Sequence, residues 1–201
     1  MTSPRAGSPS VSNNPFVLAS ASPRRLALLA QIGLVPDRII ALDIDETPRR
    51  EENPRLYAER MARAKCAAIP AADAFVLAAD TVVAAGRRIL PKADTAETAR
   101  RCLELLSGRR HRVLTCVVVR GPDGRQAERV CESAVTFARL SHAQMQAYLE
   151  TGEWQGKAGG YAAQGHAAAY IRALSGSYSS VVGLPLFETA QLLRGLGFPL
   201  P

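Results

Sequence analysis

Asp80 lies inside the run "VLAADTVVAA", where it and Thr81 are the only polar residues. Keeping a carboxylate among apolar neighbours costs free energy unless it is paired or opens onto a cleft. A structural ion pair would satisfy it. The same flanks also suit a poised general base or a metal ligand, and that reading is preferred. Upstream, "DIDE" ends an apolar stretch in Asp43, Asp45 and Glu46. Such carboxylate oxygens are what a magnesium ion at a phosphate group uses, although Asp45 better fits the start of a solvated acidic loop.

The stretch "LASASPRRLALLAQIG" places Ser20, Ser22, Arg24 and Arg25 where a strand-length apolar run gives way to helical spacing. A helix start presents unpaired backbone N–H groups and the positive end of its dipole, and two arginines there add charge where the dipole favours carboxylates. The combination invites an anion, a phosphate first of all. An ordinary capped helix with solvated arginines would look the same at this point. Of the 25 basic residues only three are lysine: Lys65, Lys92 and Lys157. An ammonium is a compact point charge and a guanidinium a planar fork, so rare lysines in an arginine-rich chain mark places where only the ammonium fits, unless chance left three.

The elements that must position these residues follow from periodicity and punctuation. Ser22 and Pro23 suit the start of a first helix and Gly33 its stop. "DRIIALDIDE" reads as a second strand. Asn53 and Pro54 open a helix carrying Leu56, Ala58, Met61 and Ala64, with Lys65 in its second half. "FVLAADTVVAA" has the length and polarity of a strand buried on both faces, followed by the turn "GRR" and a short "IL" strand. Asp94 and Glu97 stand at capping-box spacing before a helix with the stripe Ala99, Cys102, Leu103 and Leu106, stopped by Gly108. Two strands joined by "GPDG" form a hairpin, Ser141 caps a helix, a long glycine- and serine-rich segment follows, and "PLFETAQLLRGLG" is the last helix. The expected fold is α/β, a mixed central sheet with flanking helices and two lobes around a cleft. The polar residues 1–14 are expected to be a disordered tail, and 15–201 a single domain.

Composition narrows the class. A chain of 201 residues, 47% of them hydrophobic, can bury one sizeable core or two small lobes. No apolar run reaches the ~18 residues of a membrane span and the N-terminal stretch lacks a signal-peptide core, so a cytoplasmic protein without a membrane partner is expected. The four cysteines form no C-x-x-C pair, which argues against a zinc ribbon or redox motif and favours reduced thiols. The net charge of +7 suits a polyanion, but the arginines are scattered and aromatics scarce, which argues against nucleic acid. G-x-x-x-x-G-K-[ST], G-x-S-x-G and H-E-x-x-H are absent, and His111, His142 and His166 are not spaced as a metal set.

The ordered series "LASASPRR", "DIDE", "ARAKCAA", "AADTVV", "LPKADTAETARRCLELLSGRRHRV", "VTFARLS", "YLETGEWQGKAGGYAAQG" and "GSYSSVVGLPLFET" resembles the Maf family of nucleoside triphosphate pyrophosphatases over nearly everything after the polar tail. The resemblance implies an inosine-triphosphatase-like fold, a deep cleft, a divalent metal (magnesium or manganese), a homodimer, and hydrolysis of nucleotides to the monophosphate and pyrophosphate in nucleotide-pool house-cleaning. The family is also linked to inhibition of septum formation, so a nucleotide-binding regulator without significant turnover is the alternative.

Carried over, the catalytic acid falls on Asp80, which with Glu46 is a candidate metal ligand. The phosphate signature falls on Ser20, Ser22, Arg24 and Arg25, and Glu46, Lys65 and Lys92 are further catalytic-cleft residues. "LPKAD" replaces the usual Gly-Lys-Pro, which leaves the loop around Lys92 open. Lys157 fits either a substrate contact or a loop salt bridge, and Trp154 and Tyr161 fit packed loop aromatics better than base-stacking platforms. "KAGGYAAQG" resembles the thymidine/uridine triphosphate branch, which makes Gln164 the discriminating residue, with Arg24 and Thr81 at the other specificity positions. A neutral amide offers a donor and an acceptor to the O4/N3–H edge of uracil or thymine.

Overall fold

The computed structural model describes residues 14–70 and 72–200, so the expected tail lies outside the described residues except for Asn14. The apolar run before Ser20 makes β1 (Phe16–Leu18), and Ser22 and Pro23 start α1 (Pro23–Gln31). Ser22 holds the N-cap position without a side-chain cap bond. "DRIIALDIDE" yields only β2 (Arg38–Ile39), because β1 offers three residues to pair with, and the chain then runs irregularly past Glu46. Asn53 caps α2 (Pro54–Ala67) by accepting from Arg55 N. The buried face of α2 carries Tyr57, Ala58, Met61, Ala62, Lys65 and Cys66, so the expected stripe holds at Ala58 and Met61 and fails at Leu56, which is 59% exposed.

β3 (Phe75–Ala85) is the long doubly buried strand, and β4 (Arg88–Leu90) and β5 (Lys92–Ala93) follow it. Thr95, not Asp94, caps α3 (Ala96–Leu106), while the buried stripe and Gly108, at φ +71°, are as expected. β6 (Arg110–Arg120) and β7 (Gln126–Phe137) pair as the hairpin, and Ser141 closes a capping box on α4 (His142–Glu150). The glycine- and serine-rich segment holds more order than its composition announces: β8 (Lys157–Ala158), a 3₁₀ turn over His166–Tyr170, β9 (Ile171–Ser175) and the short α5 (Tyr178–Val182). The last helix is α6 (Leu186–Gly195).

The main sheet runs β2-β1-β3-β6-β7-β9, with β4 against β3; β1 lies parallel to β2 and β3, and the remaining pairs are antiparallel. This is the mixed sheet with flanking helices. Alternation along β3 sorts the cores. Val76, Ala78 and Val82 face α2. On the opposite face Leu77 and Ala79 join a core with α1 and α6, whereas Val83 joins a separate core with α3 and α4. Two cores on one face, divided at Thr81, make the two lobes. The four cysteines are free thiols, and no helix among the described residues is long and apolar enough to cross a membrane.

Candidate active site

β3 takes two partners along one edge. Its first residues pair with β1 (Leu77 with Leu18) and its last with β4 (Val83 with Leu90). Between them, residues 78–82 are paired only on the β6 side, so the sheet edge opens into a notch with Asp80 at its middle. Two short strands against one long one, rather than a loop insertion, make the cleft. Its volume is about 270 Å³, near the lower end of small-molecule pockets, about 300 Å³. The family-motif residues border it: Ser20, Ser22, Arg24 and Arg25, Glu46, Lys65, Asp80, Thr81, Lys92, Lys157 and Gln164.

On the α2 face the charges alternate in a line. Lys65 Nζ reaches Asp80 Oδ1 at 2.5 Å and Glu46 Oε1 at 2.8 Å, and Lys92 binds the other Glu46 oxygen. Asp80 is thus both ion-paired and open to the cleft, the two alternatives left by the sequence at once. Burial works against the Glu46 charge, but hydrogen bonds from Lys65 and Lys92 outweigh it and hold its pKa below the ordinary carboxylate value. Tyr57 donates to the Glu46 carbonyl at 2.7 Å and ties the irregular segment onto α2. Asp45 only accepts from Thr47 N on the exposed loop, away from the cleft.

On the opposite face Arg25 fills the seam between the two cores. Its Nε donates to Gly183 O at 2.8 Å, Nη1 to Ser20 Oγ at 2.9 Å and Nη2 reaches Thr81 Oγ1 at 3.5 Å. Thr115 donates to Ser180 O at 2.8 Å, with its oxygen 3.0 Å from Thr81 Oγ1. Arg25 is 8% exposed, yet all three contacts are neutral oxygens and no carboxylate among the described residues lies within ion-pair distance. Burial lowers its pKa, opposed by the charges of Asp80 and Glu46. Arg24, next along α1, is lowered to about 10, by burial and then by Arg25, and its buried Nε has no hydrogen-bond partner among the described residues. Both arginines from the first bend therefore have capacity for an anion, which the solvated-helix alternative does not supply.

The far wall is a clasp of β5 on β8, Lys92 opposite Ala158 and Ala93 opposite Lys157. Gly159 lets the clasp lie against β3: at φ +68° a Cβ there would stand 2.8 Å from Val83 Cγ1. Despite "LPKAD", Lys92 reaches the cleft, with Pro91 O accepting from Gly159 N at 3.0 Å. Lys157 donates to Gln155 O at 2.9 Å and forms no ion pair with a described residue; burial, then Arg24, lowers its pKa. The two aromatics pack inward: Trp154 Nε1 donates to Leu149 O, and Tyr161 OH meets His111 Nε2 at 2.7 Å. Thr115 carries no local sequence signal, whereas Glu153 and Gly183 lie inside the quoted "YLETGEWQGKAGGYAAQG" and "GSYSSVVGLPLFET" stretches, and their contacts depend on the assembled fold.

Five cationic side chains (Arg24, Arg25, Lys65, Lys92 and Lys157) face two carboxylates (Glu46 and Asp80) in one cleft, a net excess of three positive charges suited to a polyanion. Glu46 and Asp80 converge on a single ammonium, and no group of three or more potential metal ligands occurs among the described residues. That donor set fits a hard divalent cation whose remaining ligands are substrate oxygens and water.

Known proteins share most of this chain. A dTTP/UTP pyrophosphatase of Granulibacter bethesdensis is 62% identical over 200 residues, covering 92% of this chain and 94% of that one. A dTTP/UTP pyrophosphatase of Rhodospirillum rubrum is 61% identical, covering 93% and 90%. Another, of Paramagnetospirillum magneticum, is 60% identical, covering 91% and 97%. Among solved structures the Staphylococcus aureus Ham1 protein aligns with a TM-score of 0.42 and 17% identity over 68% of this chain and 98% of that one, a likeness too weak to bear on function. Residues 15–196 match the family described as Maf-like protein, and the chain belongs to that family.

Proposed function

We propose that this protein hydrolyses nucleoside triphosphates, dTTP and UTP above others, to the monophosphate and pyrophosphate. The observation that carries the reading is the cleft's excess of three positive charges, with Arg25 buried and bonded to neutral oxygens. The high identity to proteins named dTTP/UTP pyrophosphatase supports the choice of substrate.

In this mechanism Asp80 accepts the proton of a water molecule attacking the α-phosphorus, and the bond to the bridging oxygen breaks to release pyrophosphate. Lys65 fixes the orientation of the Asp80 carboxylate from 2.5 Å. Arg24, Arg25 and Lys157 hold the polyphosphate, and Lys92 offsets charge that develops on the leaving group. Asp80 and Glu46 would hold a divalent cation, magnesium or manganese, which supplies charge neutralisation at the phosphates. Gln164 faces the base with an amide that makes no hydrogen bond to a described residue.

The test is incubation with a panel of nucleoside triphosphates and magnesium, with products resolved. Monophosphate plus pyrophosphate from UTP and dTTP is expected. Diphosphate plus phosphate would mean a different phosphatase, and binding without turnover would mean a nucleotide-binding regulator. Asp80→Asn should still bind nucleotide and lose a factor of about 10²–10⁴ in turnover, the usual contribution of a general base. Wild-type turnover in that variant would remove Asp80 from the mechanism.

A further inference from the structure

Gln164 is exposed in the cleft wall, so its aim depends on what holds its backbone. Two residues before it, Ala162 N donates to the buried Tyr148 hydroxyl at 3.0 Å. Two residues after it, His166 N donates to Glu153 Oε2 at 2.8 Å, while the other Glu153 oxygen meets His166 Nδ1 at 2.6 Å. Glu153 is itself firmly seated: its N–H donates to Thr151 Oγ1 at 3.2 Å, and the next residue, Trp154, is buried.

Gly165 explains the fit. Its φ of −113° lies outside the left-handed region that favours glycine, so φ does not by itself require glycine there. Space does: a Cβ on Gly165 would stand 2.6 Å from the Glu153 carboxyl carbon and closer still to one of its oxygens. The glycine after Gln164 is therefore the notch in which the Glu153 carboxylate lies. The competing partner for Glu153 is Lys157, but Lys157 Nζ donates to Gln155 O and the two side chains form no ion pair.

We propose that Glu153, seated in the Gly165 notch and bonded to the backbone N–H and the Nδ1 of His166, is the positioning residue that sets Gln164 against the pyrimidine edge. It determines base selectivity without touching the nucleotide. This inference rests on the function proposed above. It follows that loosening Glu153 disturbs base reading while leaving the Asp80–Lys65–Glu46–Lys92 line in place.

The experiment compares kcat and KM on UTP, dTTP, CTP and 7-methyl-GTP for the wild type, Glu153→Ala, Glu153→Gln and Gly165→Ala, with melting temperatures and hydrogen exchange over residues 160–170. Glu153→Ala should lower the UTP-to-CTP ratio of kcat/KM about tenfold, mainly through KM, with kcat on UTP within about threefold of wild type. Amide exchange over 162–168 should quicken. Glu153→Gln, which still accepts from His166 N, should recover most of the selectivity, and Gly165→Ala, which displaces the carboxylate without removing it, should repeat the loss. A wild-type ratio in both Glu153→Ala and Gly165→Ala, or an equal fall in kcat on all four nucleotides, overturns the inference while the function stands. A wild-type protein with no preference for UTP over CTP overturns the functional reading and the inference with it, before any variant is compared.

Discussion

Lys65 holds two carboxylates at once, Asp80 at 2.5 Å and Glu46 at 2.8 Å, from a position 8% exposed. Lys65→Met keeps the length of the stem and removes the ammonium, leaving Asp80, itself 4% exposed, without its cation. The attraction between unit charges at that distance is about 7 kcal/mol at an effective dielectric of about 20. Desolvation offsets much of it, and orphaning one partner of a buried pair costs about 3–5 kcal/mol net. Asp80→Asn is milder, because Lys65 retains Glu46 and an amide oxygen still accepts, so its cost is about 1–2 kcal/mol. The double variant Lys65→Met/Asp80→Asn contains no orphaned carboxylate on β3. It should therefore be more stable than Lys65→Met alone by about 2 kcal/mol, because the uncompensated buried charge is gone. Urea unfolding followed by far-UV circular dichroism reads this directly, since with slopes of about 2 kcal/mol/M the midpoint should recover by about 1 M at unchanged slope. A double variant no more stable than Lys65→Met would show that the site is held by packing rather than by charge, and the reasoning would fail.

Other expectations follow from the same geometry. Gly159→Ala combines a φ of +68° with a Cβ 2.8 Å from Val83. It should cost about 2 kcal/mol or more and lower turnover by shifting Lys92 and Lys157 together, and adding Val83→Ala should restore only the steric part. Burial pushes His111 down to about 4, so the folded protein keeps the imidazole neutral while the unfolded chain takes up a proton below pH 6.5. The sign is a loss of stability as pH falls from 6.5 towards 4, up to about 3 kcal/mol, that a His111→Gln variant should lack when unfolding is compared at pH 7 and pH 5. Gln164→Glu should weaken the preference for UTP and dTTP over CTP and 7-methyl-GTP without moving the melting temperature; an unchanged ranking would place base reading elsewhere.

Local signals carried far in this chain. The Asn53 cap, the α3 stripe and the β6–β7 hairpin follow from turn chemistry and periodicity acting within a few residues. Elements whose existence depends on a distant partner were harder to read. "DRIIALDIDE" has the apolar content of a strand, but the number of residues that pair is set by the length of β1, and the rest stays irregular. β9 is a strand because β7 offers an edge, and β8 because β5 does, so neither is visible in a segment rich in glycine and serine. At the site, residue types and motif order brought the cleft residues together. The exchange of partners did not follow from them: that Lys65 spans both carboxylates, that Arg25 turns inward to Gly183, and that Glu153 needs a glycine opposite it are properties of the assembled sheet.

The notch in the edge of β3 also limits how the protein can move. β3, β6 and β7, of 11, 11 and 12 residues, run without a break from one lobe into the other, so the halves share one plate and lack the loop hinge on which domains swing. What can give way is the rim: the first turn of α1 on one side and the β5–β8 clasp on the other, joined to the plate by short segments. Motion that opens the cleft is therefore expected first in these rim segments, where loops and side chains fluctuate in about nanoseconds to microseconds.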